Sequence, residues 1–243
     1  MKKLGRLDVI HRLAFSMLLI LPATLGAQTR PPITEKIAKT YGLDSWDKIE
    51  AIRYNFNAEG ALKLSRTWVW EPKTDQVSYE GKNEAGKPVK RMYLRSQVSS
   101  QPAVVKDEID PAFINDQYWL LFPFHLSWDS SATVEDTGMH KLPMGKGTAR
   151  RVVVTYPSES GGYSPGDIWE LFVGTDNRIQ EWIYRHGGSA TPTGVWAWED
   201  YKKAGPLLVS MNHPGTRQGK PLRVFFSDVS VKLVGSNTWV SAH

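Results

Sequence analysis

The stretch Trp169-Glu170-Leu171-Phe172-Val173, followed by Gly174-Thr175-Asp176-Asn177 and the return Ile179-Gln180-Glu181-Trp182-Ile183-Tyr184, decides the fold class. Two runs rich in β-branched and aromatic residues flank a short turn of Gly, Asp and Asn, which is the pattern of a β-hairpin. The same period-two rhythm continues on both sides. Ile52, Tyr54 and Phe56 alternate with Arg53, Asn55 and Asn57; Leu62, Leu64, Trp68 and Trp70 share one parity, interrupted by Arg66. Such alternation buries one face of each strand. Further strands are expected at Val152–Tyr156, Val195–Tyr201, Leu207–Asn212, Leu222–Ser227 and Val229–Leu233. An earlier hairpin is expected between Val77–Tyr79 and Val89–Leu94, turning at Asn83-Glu84-Ala85-Gly86.

Two segments break this rhythm. Thr34–Tyr41 predicts a short amphipathic helix, with Thr34 as N-cap and Gly42 as its stop. Asp110-Pro111 opens a second helix, with Phe113, Ile114, Tyr118, Leu121 and Phe122 at helical spacing until Pro123. Trp119, Leu120 and Phe124 join them, so this helix has no polar face and must cover or plug an apolar surface. Asp107-Glu108-Ile109-Asp110 reads as favourable charge at its start. Ser96–Gln101 and Ser127–Thr133 read as loops. The whole is mainly β (α+β): an antiparallel open half-barrel of about ten strands, with a short N-terminal helix and an apolar helix over the concave face.

At the front end, Lys2, Lys3, Arg6 and Arg12 precede the apolar run Leu13–Leu21 and the small residues Gly26-Ala27. This is the layout of a secretory signal peptide, residues 1–27, cleaved after Ala27 or Gly26. The run is about half of the roughly 20 residues that span a bilayer. The expected product is one domain, residues 28–243, exported to the periplasm or the extracellular space. The full chain carries a formal +5, of which the leader accounts for +3, leaving +2 for residues 28–243. The remaining basic pairs Lys90-Arg91, Arg150-Arg151 and Lys202-Lys203 are scattered, so no nucleic-acid partner is expected. With no cysteine there is neither a disulfide nor a lipidated N-terminal Cys.

The order of pieces resembles the LolA-like half-barrel superfamily. The resemblance rests on a leader, a helix ending in Tyr41-Gly42, and Trp46-Asp47-Lys48-Ile49-Glu50-Ala51-Ile52 running into a strand. It also rests on antiparallel strands with an apolar helix between the two halves. The phrases Tyr118-Trp119-Leu120 with Pro123, Gly162-Tyr163-Ser164-Pro165-Gly166-Asp167, Glu181-Trp182-Ile183-Tyr184-Arg185, and Trp198-Glu199-Asp200-Tyr201-Lys202 before Gly205-Pro206 are similar to an uncharacterised group of exported bacterial proteins within it. The resemblance implies an open barrel, lidded by helices, that holds acyl chains. It departs at Trp70-Glu71-Pro72, where the lipoprotein carriers place an Arg that helps hold the lid; a carboxylate cannot donate those hydrogen bonds.

Function is therefore expected to be non-enzymatic: binding or carrying a lipid or other hydrophobic small molecule, as a monomer without a cofactor. The candidate ligand-binding residues are Tyr54, Phe56, Trp68, Trp70, Trp119, Phe122, Trp169, Trp182, Trp196 and Trp198, whose rings offer large apolar area with a polar edge. A partner- or glycan-binding scaffold using the same aromatic faces is the alternative. A serine hydrolase is more remote. Gly162-Tyr163-Ser164-Pro165-Gly166 fits G-x-S-x-G, and Asp200 and His213 follow in hydrolase order, yet Ser164 lacks the strand before and helix after that the elbow requires. Pro165 also removes the N–H that would serve an oxyanion. No metal is expected, since His125, His140, His186 and His213 show no ligand spacing.

Overall fold

The computed structural model describes residues 30–82 and 86–243. The expected signal peptide, and the first three residues of the Asn83–Gly86 turn, lie outside the described residues. Thirteen strands form one antiparallel sheet. They are β1 (Ile49–Gly60), β2 (Leu64–Glu71), β3 (Gln76–Lys82), β4 (Pro88–Leu94), β5 (Thr133–Lys141), β6 (Thr148–Thr155), β7 (Ile168–Val173), β8 (Ile179–Arg185), β9 (Gly194–Ala197), β10 (Glu199–Ala204), β11 (Leu207–Arg217), β12 (Lys220–Leu233) and β13 (Trp239–Ser241). The spatial order is β4-β3-β2-β1-β12-β11-β9-β8-β7-β6-β5, with β10 added to β11 and β13 to β12. The two ends of this order never meet, so the sheet is a half-barrel with two free edges.

The period-two reading holds along most of it. Ile52, Tyr54, Phe56 and Ala58 are buried while Arg53, Asn55 and Asn57 are half-exposed. The Trp169–Tyr184 hairpin forms as expected, β7 pairing β8 around a turn in which Gly174 donates to the Arg178 carbonyl at 2.8 Å and Asn177 takes φ 60°. The expected count of about ten strands is too low for identifiable reasons. Residues 133–141, polar and without clear alternation, pair with β6 all the same. The expected Val195–Tyr201 strand is broken at Trp198 into β9 and β10. Leu222–Ser227 and Val229–Leu233 are one strand, bent at Asp228 (φ 54°) where the register against β1 shifts.

Both helices also differ from their expected limits. Helix α1 spans Pro32–Thr40 and is capped by Pro31, so Thr34 lies inside the first turn, donating to the Pro31 carbonyl. A proline at the first helical position, with φ already suited to a helix, starts it two residues early. Gly42 ends it as expected, at φ 104°, where any Cβ would come within 2.5 Å of the Pro206 carbonyl. Helix α2 spans Asp110–Trp128 and runs through Pro123, with Leu121 distorted to φ −119°, ψ 15°. The distortion two residues ahead of the proline absorbs the missing hydrogen bond. Residues Val104–Ile109 wind a π-turn into it, and the expected loop at Ser96–Gln101 is a 3₁₀ turn over Arg95–Ser100.

Helix α2 lies inside the half-barrel. Fourteen of its 19 residues are buried, as an all-round apolar helix requires. Phe113 packs edge-on to Trp68 and Trp70 of the first half-sheet, while Trp119 and Phe122 meet Trp182 of the second at 4.8 and 5.4 Å. A smaller cluster of Ala149, Phe172 and Ile183, with Leu142 and Val195, sits on the convex side. Among the described residues no helix is long and apolar enough to cross a membrane.

Candidate functional site

The ten aromatic candidates all face the hollow, and none is more than 8% exposed. The structure brings them together as packing around α2: Trp169–Trp182 rings lie 4.6 Å apart, Trp182–Trp198 5.0 Å, Trp119–Trp196 4.9 Å and Trp68–Tyr79 4.7 Å. The helix thus fills most of the space that the sequence reading assigned to a guest. Seven of the candidates are core alone, and Trp70 also borders a surface hollow of about 450 Å³. Trp169 and Trp196 differ, because they also wall a cleft that α2 leaves open at its N-terminal half.

That cleft has a volume of about 210 Å³. Helix α2 supplies Pro111, Ile114, Asn115 and Tyr118; the β6–β7 turn supplies Tyr163, Ser164 and Asp167; the sheet supplies Trp169, Tyr184, Trp196, Arg217 and Leu222. Two larger hollows, of about 630 and 700 Å³, are surface troughs lined mainly by charged and polar side chains. A third, of about 450 Å³, lies on the other side of Ile114 and Tyr118 and mixes Trp70, Trp128 and Tyr156 with Arg95, His125, Asp129 and serines. The cleft differs from the first two in having an aromatic and aliphatic floor. Trp196 is held there by two glycines: a Cβ on Gly194 or Gly215 would come within 2.4 Å of its ring, and its indole N–H donates to the Leu222 carbonyl at 3.0 Å. Sequence reasoning missed this cleft; the signal was Gly194 and Gly215 flanking the tryptophan across paired strands.

Three buried or half-buried carboxylates fasten the helix beside the cleft. Asp110 accepts from Tyr93 Oη at 2.8 Å, Arg95 Nε at 3.0 Å and the Tyr163 hydroxyl. It is therefore an anchor to both half-sheets and not merely charge at a helix start, as the sequence reading had it. Asp116 accepts from Arg66 Nη1 at 2.9 Å, Trp68 Nε1 at 2.8 Å and Asn115 Nδ2 at 3.0 Å. Burial raises its pKa to about 6, with Arg66 and the other donors opposing. Asp129, at the C-terminal end, accepts from Tyr118 Oη at 2.8 Å and Tyr156 Oη at 2.6 Å and pairs with His125 Nδ1 at 3.0 Å. Burial would raise its pKa, but the His125 hydrogen bond and charge hold it below the ordinary value. Arg30 closes the same end, donating to the carbonyls of Leu126 and Asp129.

On the cleft rim, Asp167 is already satisfied by Tyr184 Oη at 3.0 Å, His186 Nδ1 at 3.1 Å and the Gly187 N–H at 2.8 Å. Arg217, exposed at the end of β11, has no ion pair or side-chain hydrogen bond among the described residues. Deeper in, the hydroxyl of Tyr54, the indole N–H groups of Trp70, Trp169, Trp182 and Trp198, and both ring nitrogens of His213 are buried with no well-aligned hydrogen-bond partner among the described residues. His213 is fully buried between Trp119, Trp198 and Phe226, and burial lowers its pKa to about 3.

The hydrolase constellation does not assemble. Ser164 sits in a turn, its N–H donating to the Gly161 carbonyl at 3.0 Å, and β7 follows it in place of a helix. His213 lies against the backbone of Ser210 and Ala197 and meets no serine hydroxyl, and Asp200 is exposed on β10. Among the described residues, no three His, Asp or Glu side chains lie together as a metal site. Glu71, the departure from the carrier pattern, accepts from Thr74 Oγ1 at 3.1 Å and Gln76 Nε2 at 3.5 Å within its own turn.

No family model and no curated protein matches the chain. Among solved structures it is similar to a DUF1329 family protein from Desulfovibrio piger, at 9% identity and TM-score 0.47, over 86% of this chain and 96% of that one. It is also similar to a putative outer membrane lipoprotein-sorting protein domain from Vibrio parahaemolyticus, at 10% identity and TM-score 0.45, over 84% and 95%. A third is the Mycobacterium tuberculosis lipoprotein LppX, at 8% identity and TM-score 0.32, over 86% and 99%. The half-barrel itself is established by this chain's own strand order, with an apolar helix seated in its hollow.

Proposed function

We propose that this chain is an exported, non-enzymatic protein that binds a lipid or other hydrophobic small molecule at the seam between α2 and the second half-sheet. The observation that carries this reading is the cleft, where Ile114, Tyr118, Trp169, Trp196 and Leu222 leave apolar surface open to a guest. Burial supplies the affinity: each methylene removed from water contributes about 0.8 kcal/mol. At about 210 Å³ the cleft is below the roughly 300–1,000 Å³ of drug-sized pockets, so the part of a guest it takes is a segment of a single chain and not a diacyl lipid. The scaffold reading needs a flat array of solvent-accessible rings, whereas none of the ten candidates is more than 8% exposed and Trp169 and Trp196 reach the surface only as walls of the cleft. Organic extraction of protein purified from its native compartment, followed by mass spectrometry, is expected to release an apolar compound. Titration with a fluorescent fatty acid is expected to saturate. A ligand-free protein that also ignores the probe overturns the proposal.

A further inference from the structure

The polar rim of the cleft says what kind of guest fits, and this step rests on the functional reading above. The tyrosines and the carboxylate of the rim are committed inward: Tyr163 to Asp110, Tyr118 to Asp129, and Tyr184 and the backbone N–H of Gly187 to Asp167. Arg217 is the exception in charge and in commitment. Its guanidinium stands at the mouth with five N–H donors and no acceptor among the described residues, above a floor of Trp196 and Leu222. A neutral alkyl guest would leave that exposed cation to water alone; a guest with an anionic head would meet it while its chain covers the floor.

We infer that the cleft takes a single-chain anionic amphiphile, its acyl chain along Ile114, Tyr118, Trp196 and Leu222 and its carboxylate or phosphate head on Arg217. The planar fork of arginine matches either oxyanion in two-point fashion. The head remains near water and the chain leaves it, so desolvation of charge is small. Nothing covalent takes place.

The experiment is calorimetric titration of the purified protein and of Arg217→Gln and Arg217→Lys with dodecanoate, dodecyl phosphate and dodecanol, all below micelle formation. Arg217 is exposed, so neither substitution disturbs the core. Dodecanoate or dodecyl phosphate is expected to bind the parent protein and to weaken roughly three- to tenfold in Arg217→Gln, with partial recovery in Arg217→Lys. Whichever anion is the tighter identifies the head. Dodecanol is expected to bind more weakly and equally to all three proteins. If the anions bind Arg217→Gln as tightly as the parent, the head assignment falls while the binding reading stands. If none of the three amphiphiles binds the parent, the binding reading itself falls.

Discussion

At the scale of single residues, Asp116 shows what it costs to place a charge inside this hollow. Its pKa is raised to about 6 in the fold, against an ordinary value near 4 in an unfolded chain. The folded state therefore holds its proton more tightly, and the stabilisation from that group is complete below about pH 4 and lost as pH rises through about 6. Urea midpoints measured from pH 4 to 7 are expected to fall more steeply for the parent than for Asp116→Asn; parallel profiles would refute this. Arg66, the interruption in the apolar parity of β2, is explained by the same pair: it points inward with Trp68 to reach that carboxylate. Gly215 offers a second test. Its Cβ position is occupied by Trp196 and the Val195 carbonyl at 2.4 and 2.2 Å, so Gly215→Ala is expected to lower stability by about 1–3 kcal/mol and to displace Trp196. Chemical denaturation with indole fluorescence reads both effects. Ile114→Trp, filling the cleft from α2, is expected to abolish binding of the fluorescent fatty acid and, since Ile114 is buried, to cost about 1–3 kcal/mol by overpacking, read from the unfolding midpoint.

At the scale of elements, α2 behaves as a plug fastened at its N-terminal end, middle and C-terminal end by Asp110, Asp116 and Asp129. Asp129→Ala leaves the hydroxyls of Tyr118 and Tyr156 without their acceptor. It is expected to cost about 2–4 kcal/mol, since hydrogen bonds to a charged group contribute about 1.5–3 kcal/mol each and Asp129 is partly exposed. Hydrogen exchange should quicken over residues 118–128 while the β1–β12 amides stay protected; uniform quickening would show that the helix and sheet open together. The strands of the first half, the Trp169–Tyr184 hairpin and the apolar character of α2 were legible because burial writes periodicity into sequence. The reach of α2 past Pro123 was not, because tertiary packing of Phe124, His125 and Leu126 overrides the proline. Nor was the use of the aromatic set: rings facing a helix and rings facing a guest are equally apolar, and only coordinates separate Trp169 and Trp196 from the seven that are core alone. Strand β5 was missed because an edge strand with six of its nine residues exposed and one buried carries no alternation.

For the whole molecule, an unclosed sheet leaves two bare edges, β4 and β5. Both carry protection of the kinds that discourage edge pairing. β4 has Pro88, Lys90 and Arg91 along it, and β5 is bent between Asp136 and Met139. Replacing Lys90 and Arg91 together by valine is expected to leave the circular dichroism unchanged but to produce concentration-dependent association by sedimentation, Met92 being 65% exposed beside them. The pairing at the centre of the sheet reaches further. β1 and β12 join residues such as Glu59 and Arg223, 164 positions apart, so the middle of the structure is stitched from the two extremities of the chain. A polypeptide emerging N-terminus first, whether from a ribosome or a translocation pore, holds β1 with one side vacant until its last strands arrive. Loop closure over that distance comes late and slowly. The greasy α2, made long before its cover is complete, would spend that interval in need of a chaperone.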